Sequence, residues 1–305
     1  MTSKPGSANP LLDIRIGTLV PGAKAPEYIR QILHYGFESF SLTFGYNEVD
    51  LDLTRLAEEV RKVLEGSDAV ISSLGVFGNP LGTSPSDERL RKLIEQAIDS
   101  AHLFGTNIVA GFAGRVPGTS IPDSIPRFKE VFEPISRRAA DRGVRIAFEN
   151  CAMDGNWRSG DWNIAHNPDA WELMFDALPH DNLGLEWEPC HQLVQLIDPI
   201  PQLRKWIKKV FHIHGKDATI RWDVIRTHGI QGNVPWCFHR TPGFGDTNWV
   251  DLISELRLGG FRGSIDVEGW HDPVYREELE MTGQVHALKY LKWCRGGDFA
   301  ANPVV

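Results

Sequence analysis

The chain has 305 residues, 42% of them hydrophobic, with 32 basic against 40 acidic side chains and a formal net charge of −8. That length suits one α/β barrel with loop insertions, and the apolar fraction is that of a soluble enzyme with a single large core. Without a long run of either sign, the acidic balance argues against nucleic acid or an anionic membrane as the main partner, since both need a basic surface, while a neutral carbohydrate stays open.

Met1 to Pro10 is polar and contains Ser, Gly and Pro, so it reads as a flexible tail outside a single domain spanning 1–305. It lacks the apolar centre of a signal peptide, and no later segment has the length of a membrane span. Cys151, Cys190, Cys237 and Cys294 are scattered without a Cys-x-x-Cys pair, as expected of reduced thiols in a cytoplasmic protein. Cys151 and Cys190 lie next to residues that matter below.

Strand and helix patterns alternate along the chain. The first strand is Ile14 to Thr18, followed by a helix from about Pro26 to Tyr35 that Gly36 stops. The second strand is Phe37 to Thr43, with a helix at Leu53–Leu64, and the third is Ala69 to Leu74. The next helix begins near Ser86, an N-cap ahead of Asp87 and Glu88, and carries Leu90, Leu93, Ile94, Ala97 and Ile98 at helical spacing. Asn107 to Ala110 is the fourth strand, and its helix runs from Ile125 to Arg142.

Four more strands end alike. Val144–Phe148 ends in Glu149, Leu183–Trp187 in Glu188, Val210–Ile213 in His214, and Ser264–Val267 in Glu268. Helices near Pro168–Ala177, Pro199–Lys208 and Trp249–Leu258 separate them, and a last helix spans Glu277 to Trp293. Eight strand–helix units predict a closed parallel (β/α)8 TIM barrel, with an open doubly wound sheet as the runner-up. Two loops, Cys151–Asn167 after the fifth strand and Ala218–Thr247 after the seventh, are too long for simple connections and would cover the carboxyl-terminal mouth.

Taken singly, a Glu or His at a strand end is an ordinary satisfied residue. Four on consecutive strands, at one topological level, point to a shared site for one divalent metal ion. Three carboxylates and an imidazole suit Mn²⁺, Mg²⁺ or Co²⁺ better than a thiolate-seeking metal, with Zn²⁺ also accommodated. Spacing leaves Glu186 as a rival to Glu188, since alternate residues on a strand share a face. His212 competes likewise with His214, and His214 is chosen because it opens His214-Gly215-Lys216-Asp217 at the mouth. Tryptophans on the mouth loops, Trp162 and Trp270 among them, could stack on the C–H faces of a sugar, and Arg221 could grip an anionic group.

The chain resembles the xylose-isomerase-like barrel superfamily, in its sugar phosphate isomerase/epimerase branch. The likeness rests on Glu188-Pro189-Cys190-His191, His212-Ile213-His214-Gly215-Lys216-Asp217, Pro242-Gly243-Phe244-Gly245-Asp246 and the closing Glu268. It implies a metal, Mn²⁺ first, held by Glu149, Glu188, His214 and Glu268. Glu149 and Glu268 are then the acid/base pair, and His191 and Lys216 contact substrate. A Glu stands at 188 where relatives have Asp, and Gly269-Trp270-His271-Asp272 is less acidic than their corresponding stretch.

The expected chemistry is isomerisation or epimerisation of a keto sugar or related polyol, by α-proton removal through a metal-stabilised enediolate. Lyase chemistry, inosose dehydration or elimination from a 3-keto-glycoside, starts from the same proton removal and is the main alternative. Some elimination enzymes of this kind require a small partner subunit, so co-purification of a second protein would favour a lyase. An apurinic-site endonuclease would need further histidines, absent at Phe77-Gly78-Asn79 and Gly111-Phe112-Ala113, and a non-catalytic sugar-binding protein would have lost ligands. The resemblance also implies a dimer or tetramer.

Overall fold

A computed structural model describes residues 13–269, 271–297, 300 and 302–303. The Met1–Pro10 tail and Trp270 lie outside the described residues. Eight strands run parallel around a barrel: β1 (Ile14–Pro21), β2 (Ser39–Gly45), β3 (Val70–Phe77), β4 (Ile108–Gly111), β5 (Arg145–Glu149), β6 (Leu183–Trp187) and β7 (Val210–Gly215) come first. A hairpin of β8 (Asp217–Ile220) and β9 (Cys237–Arg240) then intervenes before β10 (Gly263–Val267) closes the ring between β7 and β1.

The helices are α1 (Ala25–Ile32), α2 (Leu53–Leu64), α3 (Pro85–Ser100), α4 (Ile121–Asp141), α5 (Pro168–Ala177), α6 (Pro189–Leu193), α7 (Pro199–Trp206), α8 (Trp222–His228), α9 (Trp249–Leu258) and α10 (Glu280–Cys294). The closed barrel is the one the alternation predicts. No helix among the described residues is long and apolar enough to cross a membrane.

Local chemistry explains where the boundaries differ from expectation. α3 is capped by Ser84, not Ser86: Ser84 Oγ accepts from Asp87 N–H, and Asp87 reaches back to Ser84 N–H, with Pro85 pre-set for the first turn. α4 starts at Ile121, where Ser120 caps it, and continues through Pro126, so Ile125 lies inside the helix. β2 starts at Ser39 because Glu38 is held by Ile16 N–H and the Arg295 guanidinium. The long segment after β7 is partly ordered as the β8–β9 hairpin and α8.

Most barrel strands pack apolar side chains against the inner helix faces, with Phe128 and Phe132 of α4 edge-on to Phe148 of β5 at 5.6 and 4.9 Å. Inside the barrel the packing is different. Ser39, Ser41, Ser72, Ser73, Glu186, His212 and Asp266 are all buried.

Candidate metal and active site

Parallel strands place their carboxyl ends at one rim, and β5, β6, β7 and β10 are neighbours in the ring. Each delivers one group to that rim. Ligand atoms of Glu149, Glu188, His214 and Glu268 all lie within 4.8 Å of one another, and all four residues are buried. His214 Nδ1 is 3.4 Å from Glu268 Oε2, 3.6 Å from Glu188 Oε2 and 4.0 Å from Glu149 Oε1.

Much of this set has no hydrogen-bond partner. Both oxygens of Glu188, Glu268 Oε2 and the rim-facing Nδ1 of His214 are buried without one among the described residues. Buried polar atoms are ordinarily satisfied, and three carboxylates pressed together repel. A divalent cation among them answers both problems, so the residues present fit that group.

The electrostatics follow from crowding. Burial, together with the nearby Glu268 and Glu188 charges, pushes the Glu149 carboxyl well above its usual range, although His214 opposes this. Burial would also raise Glu268, but the Lys216 ammonium and His214 hold it well below. Lys216 Nζ lies 3.0 Å from Glu268 Oε1 and 3.4 Å from Glu188 Oε1, making it the buried cation of the rim. His191 Nε2 is 3.1 Å from Glu188 Oε1 and 3.9 Å from Glu149 Oε1.

Glu186 and His212 lie outside this group. Glu186 Oε1 approaches His214 Nε2, on the other side of the imidazole from the three rim carboxylates, at 3.2 Å. Glu186, His212 and His214 form a separate set of close polar atoms.

The other sequence candidates are dispersed. Trp162 is 42% exposed, and the Arg221 side chain pairs with Asp223 at the surface. His239, on β9, was not singled out by sequence reasoning, yet its ring lies 5.5 Å from that of His191 and 5.8 Å from that of His271, whose Nε2 is 3.3 Å from Glu268 Oε1. No spacing from the barrel strands reveals His239, because a hairpin carries it in. Cys151 joins Glu149 and His191, and Cys190 joins His191 and His239, in two further close groups. All four cysteines are free thiols.

The loop after β5 is fastened over this rim. Asn163 Nδ2 donates to the Glu149 and Cys151 carbonyls, while Asn79 Nδ2 donates to the Arg115 and Asp161 carbonyls. The buried Arg115 guanidinium donates to the carbonyls of Thr119 and Asn156. After β7, Asp217 accepts from Ala218 N–H, Thr247 N–H and Trp249 Nε1–H, which ties the segment's two ends together.

The sequence profile of the xylose isomerase-like TIM barrel family matches residues 29–292. The chain is 22% identical over 294 residues to the Bacillus subtilis (strain 168) protein YfiH, an alignment covering 83% of this chain and 90% of that protein. In three dimensions it is similar to the 3-keto-D-glucoside 4-epimerase YcjR from E. coli, with a TM-score of 0.68 and 15% identity, over 92% of this chain and 100% of that one. It is also similar to the D-allulose 3-epimerase from Methylomonas sp., with a TM-score of 0.66 and 16% identity, over 92% of this chain and 98% of that one. At such identities the structural likeness speaks for a common fold.

Proposed function

The chain belongs to the xylose isomerase-like TIM barrel family, and from that premise we propose that it is a divalent-metal-dependent isomerase or epimerase of a keto sugar. The observation that carries this reading is the convergence of Glu149, Glu188, His214 and Glu268 at the barrel rim, all buried, with Glu188, His214 and Glu268 each holding polar atoms that lack a hydrogen-bond partner among the described residues. These four residues would hold the cation, Mn²⁺ first by the hardness of the donor set. A bound divalent ion would supply Lewis-acid stabilisation of the negative charge that follows loss of a proton beside a carbonyl.

The chain's own groups do the rest. Glu149 ends β5 and Glu268 directly follows β10, with β6 and β7 between those strands, so they would flank a substrate from two directions. One takes the proton from the carbon next to the carbonyl; the other returns a proton to the opposite face, which inverts that carbon. Lys216 and His191, both buried beside the carboxylates, would donate or accept hydrogen bonds at sugar hydroxyls. The loop held by Asn163 and Arg115 would keep bulk water from the exposed carbanion equivalent. Similarity to enzymes named for 3-keto-D-glucoside and D-allulose supports keto sugars as the substrate class.

The test is proton NMR in D₂O of 3-keto-D-glucosides, D-allulose and inososes with Mn²⁺-loaded protein, the manganese being removed before spectra are taken. Deuterium entering next to the carbonyl without loss of a group is the expected result, abolished by Glu149→Gln or Glu268→Gln. Substantial turnover in either variant would overturn the acid/base pair. Release of an aglycone or of water would instead favour the lyase reading.

A further inference from the structure

The alternation that brings the rim groups together also sets a second layer beneath them. Glu186, His212 and Asp266 each stand two residues before Glu188, His214 and Glu268, and all three are fully buried. His212 joins them, its Nδ1 2.7 Å from Glu186 Oε1 and its Nε2 2.6 Å from Asp266 Oδ2. Asp266 is held in turn by the hydroxyls of Ser39, at 2.5 Å, and Ser72. Gly17 on β1 leaves it room, since a Cβ there would lie 2.1 Å from Asp266 Oδ1.

Barrel interiors are ordinarily filled by branched apolar side chains, and buried ionic groups commonly stabilise no more than apolar packing would. A polar layer drawn from β2, β3, β6, β7 and β10 therefore calls for a use beyond stability. It ends at one imidazole. His214 Nε2 lies 3.2 Å from Glu186 Oε1, while Nδ1 faces the three rim carboxylates. A histidine ligates through a bare nitrogen, and the hydrogen bond at its other nitrogen decides which one is bare.

Building on the metal reading above, we propose that Glu186, clamped by His212 and Asp266, is a positioning residue that fixes His214 with Nε2–H on Glu186 and Nδ1 as the ligand atom. Glu186 is thereby a support and Glu188 the ligand. Asp266 and the two serines act on the metal only through the intervening imidazole and Glu186.

Mn²⁺ binding to metal-stripped full-length protein, read by electron paramagnetic resonance, tests this in wild type, Glu186→Gln, Asp266→Asn and the double variant. Glu186→Gln should weaken binding about 10–100-fold, and Asp266→Asn by a smaller factor of about 3–10. The double variant should bind no more weakly than Glu186→Gln alone, because both act along one line. Unchanged affinity in Glu186→Gln, or losses that simply multiply, would overturn the positioning chain and leave the metal reading standing. Absence of saturable binding in wild type would overturn both. If a variant does not fold, ¹⁵N NMR of Zn²⁺-loaded wild type decides: a protonated Nε2 on His214 is expected, and a proton on Nδ1 would refute the assignment.

Discussion

Glu186 and Glu188 are the same side chain two positions apart, and the barrel gives them different partners. Strand alternation makes both inward-facing but says nothing about depth, so sequence spacing leaves them unresolved. Depth is set by where β6 ends, at Trp187, which leaves Glu188 at the rim beside Glu149, His214 and Glu268. The same alternation, applied to Ser264-Ile265-Asp266-Val267-Glu268, would have found Asp266 one layer below. Lys216 belongs to the same rim. Its ammonium lies between two of the rim carboxylates, so Lys216→Met should lower the stability of metal-free protein by about 3 kcal/mol, the order expected for a buried charge pair broken on one side. Denaturant unfolding with and without Mn²⁺ reads it, and the ion should restore more stability to the variant than to wild type. Equal metal effects would count against Lys216 as the rim's counter-charge.

The two long mouth segments differ in how much the sequence disclosed. Their length and their position after β5 and β7 were legible, because loops of that size rarely connect barrel elements without a task. The hairpin was not. Asp217-Ala218-Thr219-Ile220 follows β7 after a single residue, and no two-residue turn marks its partner strand Cys237–Arg240. What holds the segment is long-range: Asp246 accepts from Ile220 N–H, and Asp217 from Thr247 N–H. Arg115 does similar work for the loop after β5, with its charge satisfied by carbonyls from two segments. Replacing it by Met leaves those carbonyls unpaired and should cost about 1–3 kcal/mol. Because Arg158 is exposed in that loop, limited trypsin digestion should nick Arg115→Met there well before wild type. Equal digestion rates would show that Asn79 and Asn163 suffice to hold the loop.

Across the whole molecule, closure joins the beginning of the described chain to its end. Glu38 accepts from Ile16 N–H on β1 and pairs with Arg295 Nη1 and Nη2 at 2.6 and 3.1 Å, while Arg295 also donates to the Ile14 carbonyl. Burial would raise the Glu38 carboxyl, but the guanidinium and the Ile16 amide hold it below the usual range. A depressed folded value stabilises the protein fully above the unfolded carboxylate range, about pH 4.3, and that contribution is lost as pH falls through the folded value. Glu38→Gln should therefore cost about 2–3 kcal/mol near neutrality, with the gap from wild type closing as pH drops below about 4. Thermal unfolding across pH 3 to 7, about the span over which carboxylates titrate, would reveal a constant gap if the ion pair were not its source. The barrel itself was legible because eight alternations admit few closed arrangements; this seam was not, since it joins residues far apart in sequence.

If Glu149, Glu188, His214 and Glu268 make one metal site, each chain should take up a single divalent ion. Electron paramagnetic resonance of metal-stripped protein titrated with Mn²⁺ counts the ions bound. One ion per chain is predicted for wild type, with binding lost at the same concentration in His214→Gln and in Glu268→Gln. Wild type that binds no ion, or variants that retain it at full affinity, would rule out a shared site at the rim.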